Sequence, residues 1–387
     1  MRKNPITTMI RKTGLLRKSF SPIFCFFLLI AAGCGGDDPT GTGLADNPSK
    51  PLYNTMFREI LDNLLDNYWV GNGDWTEDAQ GDDVAFGPWL LYSLGRDQGI
   101  ETFSNMATQT VDYEVRQLED FFDGAFWDWR DIPGTFMTVM KTVLGGPALI
   151  DGYKYTSNPA YREWLDTGLD LVNDIAIQFP ELFVPFVFDP VVVLGVAADM
   201  DLDTYEVIPE KKYLDAARKA LQVADNRFWH EEEGYYGKEL WDWPEASMLM
   251  ALSAAYRFTS EPHYQERAET LLATVQNNLW DHESETGGYF GHDRVVMGSK
   301  ALSGNNIFTR AFLDLYENTE DPVYLQQAMA TLDFLESVLY ADRMLWHHWT
   351  PGEGRADTFC TGCNLMTLGN IYRLNKLRGT PISYNLK

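Results

Sequence analysis

The sequence has few of the residues that mark the commonest enzyme sites. It contains four cysteines and six histidines, and it has no GxSxG, HExxH or glycine-rich phosphate loop of the right spacing. Basic residues are also scarce, since 31 Lys and Arg stand against 56 Asp and Glu, for a formal net charge of -25. Such a charge repels nucleic acid and anionic membrane surfaces. We therefore expect no nucleic-acid partner, and either high solubility or a neutral or cationic substrate.

Only ten consecutive apolar residues, 23–32, follow the basic N-terminal segment. The run is too short to span a bilayer and is typical of a signal-peptide core. With Gly33 and Cys34 directly after it, the segment resembles a bacterial lipoprotein signal, which implies that Cys34 is acylated and becomes the N-terminus. Ala31 stands where that family prefers leucine, and an ordinary signal peptide cut nearby is the alternative.

The chain is expected to divide into a signal peptide (1–33), a flexible tether (34–51) and one domain (52–387). The tether is rich in Gly, Pro and Asp and has almost no apolar residue, so it cannot form a core. We expect an exported protein, lipid-anchored to the bacterial membrane through Cys34. Gly35 follows the cysteine where an inner-membrane retention signal would have Asp, which favours the outer membrane if the source has one.

Four segments repeat one pattern, a tyrosine followed by apolar residues at helical spacing. The tyrosines are Tyr161, Tyr213, Tyr264 and Tyr324. A period of about fifty residues with two helices per unit is typical of a helical array. Each unit consists of an outer helix, a long loop, a more apolar inner helix and a short turn.

Six such units fit the chain from residue 52 onward. A break is predicted in the second inner helix at residues 145–147, which read Gly-Gly-Pro. The expected outer helices are 53–69, 103–122, 158–172, 211–224, 261–275 and 322–340, and the expected inner helices are 83–97, 137–155, 189–200, 244–259, 305–319 and 362–377.

Six hairpins of this length resemble the six-hairpin glycosidases. The resemblance implies an all-α fold, an (α/α)6 toroid of six helical hairpins; an open solenoid is the alternative. In a closed ring the N-termini of the inner helices and the long loops meet at one end, which we call the mouth. Helix N-termini collect free N–H groups and positive dipole ends there.

The loops of the mouth interleave tryptophan with carboxylates, a composition typical of sugar binding. Indole rings stack on pyranose C–H faces, and carboxylates accept hydrogen bonds from hydroxyl groups. The predicted substrate-binding residues are Trp75, Trp127, Asp128, Asp131, Trp241, Asp242, Glu245, Asp293, Asn305 and His347.

Asp82 and Asp83 open the first inner helix, and glycosidic bond cleavage needs two carboxyl groups, one acid and one base or nucleophile. The segment is similar to glycoside hydrolase family 76, the α-1,6-mannanases, in which adjacent catalytic aspartates precede an aromatic-rich inner helix. The resemblance implies that Asp82 and Asp83 are catalytic. Val84 and Ala85 stand where that family soon places tryptophan. The alternative is that the pair only caps the helix.

Two other functions remain open. The repeat also resembles the N-acylglucosamine 2-epimerases. Those enzymes use histidines at the mouth, and the resemblance implies this role for His292, His347 and His348. A glycan-binding lipoprotein without catalysis is the second. All three hypotheses imply an oligo- or polysaccharide partner, no cofactor and a monomer.

Cys360 and Cys363 form a CxxC motif at the start of the last inner helix. In an exported protein a local disulfide is the expected state. A redox role lacks the βαβ context of thioredoxins. A zinc site would need His347, His348 or Asp357 as further ligands, and no metal is predicted.

Overall fold

The computed structural model describes residues 50–75, 86–123, 132–178, 180, 189–291, 298–356 and 358–384. These residues form twelve α-helices that alternate between an outer and an inner ring. The outer helices are α1 (Asn54–Asn67), α3 (Glu101–Asp123), α5 (Pro159–Gln178), α7 (Lys211–Phe228), α9 (Pro262–Asn278) and α11 (Pro322–Phe334). The inner helices are α2 (Gly87–Gln98), α4 (Ile132–Thr156), α6 (Pro190–Val207), α8 (Asp242–Thr259), α10 (Leu302–Thr319) and α12 (Thr361–Leu377).

Short strands fill the loops of the mouth. They are β1 (Trp69–Gly71), β2 (Asp74–Trp75), β3 (Trp229–His230), β4 (Tyr235–Tyr236), β5 (Lys300–Ala301), β6 (Tyr340–Ala341), β7 (Met344–Leu345), β8 (His348–Thr350) and β9 (Gly354–Arg355). Antiparallel hairpins form between β1 and β2, β3 and β4, and β6 and β7, while β5, β8 and β9 form a three-stranded sheet. A π-helical turn, Leu335–Leu339, extends α11.

The ring closes. Each inner helix contacts the next one around the axis, and α12 contacts both α2 and α1. This confirms the (α/α)6 toroid and excludes the open solenoid.

The burial pattern separates the two rings. In outer helix α7 the buried residues recur every three or four positions, as on one face of an amphipathic helix: Tyr213, Ala217, Ala220, Leu221 and Ala224. Inner helix α8 is buried continuously from Pro244 to Ala255, because it is surrounded by other helices. Among the described helices, none combines the length and apolarity that a membrane span requires.

The repeated tyrosines connect neighbouring outer helices. Tyr161 of α5 donates a hydrogen bond to Asp112 of α3 (2.6 Å), and Tyr213 of α7 donates to Asp166 of α5. Tyr53, directly before α1, donates to Asp333 of α11 (2.7 Å). The tyrosine period is therefore the sequence signature of a ring contact, and the Tyr53 contact joins the first outer helix to the last.

The short turns lie at the end of the ring opposite the mouth. Ser157 and Ser260 have φ near 57° and 56° directly after α4 and α8, which is the left-handed conformation that ends helices. Pro159 and Pro262 then begin the next outer helices, where a missing N–H costs no helical hydrogen bond.

The break predicted at residues 145–147 was wrong. Helix α4 is continuous from Ile132 to Thr156, with Pro147 inside it. A Cβ on Gly146 would lie 2.0 Å from Cε of Met200 on α6. The glycine therefore permits close packing of two inner helices, and tertiary contacts outweigh the local preference.

Candidate active site

The mouth is built from hairpins that follow the outer helices. In three of them a tryptophan faces an aromatic residue on the returning segment, with ring centroids 4.8–4.9 Å apart in edge-to-face geometry. The three pairs are Trp69–Trp75, Trp229–Tyr236 and Trp280–Tyr289. These contacts give each hairpin a small aromatic core of its own.

Trp75 belongs to this hairpin core, which corrects its predicted role in sugar binding. Its side chain is 3% exposed, its ring meets Trp69 edge-on, and its indole N–H points to the Thr110 hydroxyl on α3 (3.4 Å). A side chain this buried cannot stack on a sugar.

Three fully buried side chains fasten the hairpins to the inner helices, and we call them the hairpin anchors: Glu245, Asn305 and Asn364. Each is the fourth residue of its inner helix, α8, α10 and α12. Asn305 accepts a hydrogen bond from the Tyr289 N–H (2.8 Å) and donates to the Tyr289 carbonyl (3.1 Å). Asn364 does the same with Leu345, at 2.9 and 3.0 Å.

Asn305 is therefore a structural anchor, not the substrate ligand that the loop composition predicted. Its Nδ2 also donates to the Ala301 carbonyl (2.8 Å), so the amide is occupied by backbone groups. The sequence analysis did not single out Asn364. Like Glu245 and Asn305 it is the fourth residue of its inner helix, a pattern that can be recognised only once the helix bounds are known.

Glu245 departs from the other two anchors because it carries a carboxyl group. Both of its oxygens lie within 3.3 Å of the Tyr236 N–H. Burial raises the pKa of Glu245 well above its usual value, and the charge of Asp189 adds to the effect. A protonated Glu245 resembles the asparagine amide of the other anchors. It too is positioned to hold a hairpin rather than to bind a substrate.

Asp189 is a mouth carboxylate that the sequence analysis did not single out. It caps α6 by accepting a hydrogen bond from the Val191 N–H (2.9 Å). It also lies beside Gly237, directly after β4, where a Cβ would be 3.0 Å from its Oδ2. The Asp-Pro dipeptide before an apolar helix is the signal that could have identified it.

The start of α8 packs against the start of α10. Asp242 is buried there and accepts a hydrogen bond from the Trp243 N–H (2.8 Å). A Cβ on Gly304 would lie 1.8 Å from its Oδ2, so glycine is required at this contact. Trp241 is half-buried at the N-terminus of α8. Of the two predicted tryptophans in the described residues, Trp75 is buried and Trp241 is half-buried.

His347 lies close to the same helix start. Its carbonyl accepts a hydrogen bond from the Leu302 N–H at the first residue of α10 (2.8 Å). Its ring is half-buried, with Nδ1 at 3.1 Å from Nδ1 of His348. The structure therefore brings Trp241, Asp242 and His347 together around the N-terminal ends of α8 and α10.

A buried lysine fixes the loop before α10. Lys300 is fully buried and donates to Asp281 Oδ2 and to the Gly287 carbonyl, both at 2.5 Å. Its Nζ also lies 5.1 Å from the Phe290 and Trp349 ring centroids, within the range of cation–π attraction. Burial lowers the pKa of Lys300, and Asp281 opposes that shift.

Cys360 and Cys363 form a disulfide at the start of α12 and are 1% and 6% exposed. Among the described residues, no group of three or more His, Cys, Asp or Glu side chains could hold a metal ion.

Several predicted residues lie outside the described part of the chain. They are Cys34, Asp82, Asp83, Trp127, Asp128, Asp131, His292, Asp293 and Asp357. The catalytic pair is among them, and its role stays a prediction.

No family model matches this chain. No curated protein matches it significantly either. Solved structures do match it over most of their length. The α-1,6-mannanase of glycoside hydrolase family 76 from Salegentibacter sp. HEL1_6 superposes with a TM-score of 0.61 at 14% identity, covering 84% of this chain and 99% of its own. The family 76 α-mannanase from Bacteroides thetaiotaomicron gives 0.57 at 14% identity, covering 84% and 96%.

The cellobiose 2-epimerase from Bacillus thermoamylovorans B4167 gives a TM-score of 0.61 at 10% identity, covering 83% of this chain and 98% of its own. An inactive variant of the Salegentibacter enzyme, with two consecutive aspartates replaced, was solved with α-1,6-mannotetrose. The chain has the fold of the six-hairpin glycosidases. At these identities the likeness establishes the fold and leaves the reaction to the site.

Proposed function

We propose that this protein is a glycan-active enzyme, a glycoside hydrolase that acts at the mouth of the toroid. The observation that carries the proposal is the closed ring, which gathers the N-termini of α8, α10 and α12 with Trp241, Asp242 and His347 at one end. Helix N-termini and half-buried aromatic side chains suit a neutral, hydroxyl-rich ligand.

Asp82 and Asp83 are the proposed catalytic pair. One carboxyl group would protonate the leaving oxygen, and the other would act as base or nucleophile. The proposal draws support from the family 76 mannanase with the same fold, whose inactive variants replace two consecutive aspartates. An α-1,6-linked mannoside is accordingly the first substrate to test.

The surrounding mouth loops supply the proposed sugar contacts. Trp241 would offer a stacking face, with His347 beside it. Trp127, Asp128, Asp131 and Asp293 belong to the same set of loops and stay proposed substrate ligands. Trp75, Glu245 and Asn305 leave this set because they hold the hairpins. Asp242 also leaves it, because its side chain is fully buried against Gly304.

Export and anchoring are part of the proposal. A lipid on Cys34 and the tether that ends at residue 51 would hold the toroid at the outer surface of a membrane. Mass spectrometry of the mature protein tests this directly: a diacylated or triacylated N-terminal cysteine is expected, and an unmodified N-terminus elsewhere would contradict it.

The decisive experiment measures reducing-sugar release from α-1,6-mannan and mannotetraose by the wild type and by Asp82→Asn and Asp83→Asn. Each variant should lose about 100- to 10 000-fold in activity, the usual contribution of an acid or base. Asp215→Asn, on the outer helix α7 and paired with Lys211, is the matched control and should keep full activity.

Other outcomes would select other functions. Wild-type activity in both variants would remove the pair from the mechanism. Binding of mannotetraose without turnover would indicate a glycan-binding lipoprotein. The adjacent rings of His347 and His348 favour an epimerase as the second candidate, which a change of sugar configuration without bond cleavage would reveal.

A further inference from the structure

The first residues of the toroid lie at the end opposite the mouth. Leu52 exchanges two hydrogen bonds with the side chain of Asn375: its N–H donates to Oδ1 (2.7 Å), and its carbonyl accepts from Nδ2 (3.0 Å). Asn375 is fully buried and is the third residue from the end of inner helix α12. Because the inner helices begin at the mouth, this contact fixes Leu52 at the opposite end.

Tyr53 holds the same segment against the last outer helix. Its hydroxyl lies 2.7 Å from Asp333 Oδ1 and 3.0 Å from the Met329 carbonyl, both on α11, and its side chain is 8% exposed. Lys50, two residues before Leu52, is exposed. The chain therefore enters the ring from solvent at the end opposite the mouth, and buried contacts fix the entry point.

The height of the ring and the length of the tether bear on how an anchored toroid would face a bilayer. Inner helices α6, α8 and α10 have 18 residues each, so the ring is about 27 Å high at about 1.5 Å per residue. A flexible chain as long as the segment 34–51 has an end-to-end distance of about 23 Å. To bring the mouth to the bilayer, the tether would have to stretch beyond that distance along the whole height of the ring.

The charge of the mouth hairpins favours the same orientation. Segments 229–237 and 279–291 contain no Lys or Arg, and they expose Glu231, Glu232, Glu233, Glu283 and Glu285. An anionic bilayer repels such a surface.

Cations offset part of the negative charge at the opposite end. Lys154, Lys211 and Lys376 lie there, 3.4, 2.8 and 2.6 Å from carboxylate oxygens. Repulsion by an anionic bilayer is therefore weaker at this end than at the two acidic hairpins of the mouth.

We propose that a lipid on Cys34 holds the toroid with the end opposite the mouth toward the bilayer and the mouth toward the bulk solution. The inference rests on the anchoring proposed above. In this orientation, glycans reach the mouth from the bulk solution. The substrate class is therefore soluble or extracellular glycans, rather than the head groups of the bilayer that holds the protein.

Two exposed valines form a matched pair of label positions. Val70 lies on β1 at the mouth, and Val323 is the second residue of α11 at the opposite end. They are 56% and 43% exposed, and surface substitutions of this kind usually change stability little. Each is replaced singly by cysteine and labelled with a fluorophore.

The introduced cysteine would be the free thiol of the mature protein. Cys360 and Cys363 are joined in a disulfide, Cys34 would carry the lipid, and Cys25 belongs to the proposed signal peptide. The label therefore reports one position in each variant.

Energy transfer from the label to acceptor lipids measures its distance from the bilayer. The lipidated protein is placed in vesicles of phosphatidylcholine and phosphatidylglycerol that contain rhodamine-labelled phosphatidylethanolamine. The label of Val323→Cys should lie about 20 Å closer to the bilayer than that of Val70→Cys, somewhat less than the ring height because the tether is flexible. In vesicles without phosphatidylglycerol the order should stay the same and the difference should shrink, because only the tether then acts.

Equal distances for the two labels, or a shorter distance for the Val70→Cys label, would overturn the proposal. Mass spectrometry of the same samples reports the lipid on Cys34. A chain without that lipid would overturn this inference together with the proposed anchoring, whereas a lipidated chain with equal distances would overturn the orientation alone. No sugar is present, so the result is independent of glycan hydrolysis.

Discussion

The two ends of the ring are held together by different interactions. At the mouth, Asn305 and Asn364 are fully buried and bond the backbone of the hairpins on both the N–H and C=O sides. At the opposite end the fully buried Asn375 bonds the N–H and C=O of Leu52 in the same way. Other contacts there are ion pairs with partly exposed side chains, as in Arg257 and Glu206, which are 31% and 41% exposed. Loss of a buried hydrogen-bond partner is costly, whereas exposed pairs contribute little. In the described part of the chain the mouth therefore has two asparagines of this kind, Asn305 and Asn364, and the opposite end has one, Asn375.

The largest effect is expected for Asn305→Ala. The substitution leaves the buried N–H and C=O of Tyr289 without partners, and we expect a loss of about 3 kcal/mol in the free energy of unfolding. Urea denaturation measures it. Asn318→Ala, on the same helix at the opposite end, is the matched control and should cost about 1 kcal/mol, because Asn318 is only part-buried. Equal losses at the two positions would mean that the ends do not differ.

An intermediate effect that depends on pH is expected for Glu245→Gln. The pKa of Glu245 is raised in the folded state, so the carboxyl favours folding below its unfolded pKa of about 4.5. That contribution is lost as the pH rises toward the folded pKa, by about 1.4 kcal/mol per pH unit. Glutamine does not titrate, and it should be the more stable of the two at pH 8.

Unfolding curves of the wild type and Glu245→Gln from pH 4 to pH 9 measure this difference. Asp201 is also buried with a raised pKa, but it is present in both proteins and cancels in the comparison. A stability difference that stays constant with pH would show that Glu245 is ionised in the fold and that the anchor analogy with Asn305 fails.

The smallest effect is expected for Arg257→Met at the opposite end. Its partly exposed pair with Glu206 should contribute less than about 1 kcal/mol, and this should fall further in high salt. Thermal unfolding at low and high salt measures it. A loss of stability as large as that of Asn305→Ala would show that this ion pair, at the end opposite the mouth, stabilises the fold as much as the Asn305 anchor does.

The fold could be predicted from the sequence because its repeat has a physical cause. Tyr161 and Tyr213 recur at a fixed period since each bonds the preceding outer helix. The helix break predicted at residues 145–147 was wrong because local helix propensity takes no account of tertiary packing, here the close contact of Gly146 with Met200.

The site was harder to predict than the fold. Tryptophan and carboxylates in loops predict a sugar site only if their side chains face the mouth. Trp75 and Asn305 instead face the hairpin cores, a distinction that depends on strand pairing two or three residues long. Asp189 and Asn364 were missed because their roles arise from helix bounds, which are the least certain feature of a sequence-based prediction.

The most direct test of the central claim is a crystal structure of the Asp82→Asn, Asp83→Asn double variant with α-1,6-mannotetraose. The sugar should lie at the N-terminal ends of the inner helices, with a ring against Trp241. A tetrasaccharide bound only at the C-terminal ends of the inner helices, or on the outer face of the ring, would contradict the assignment of the mouth as the glycan site.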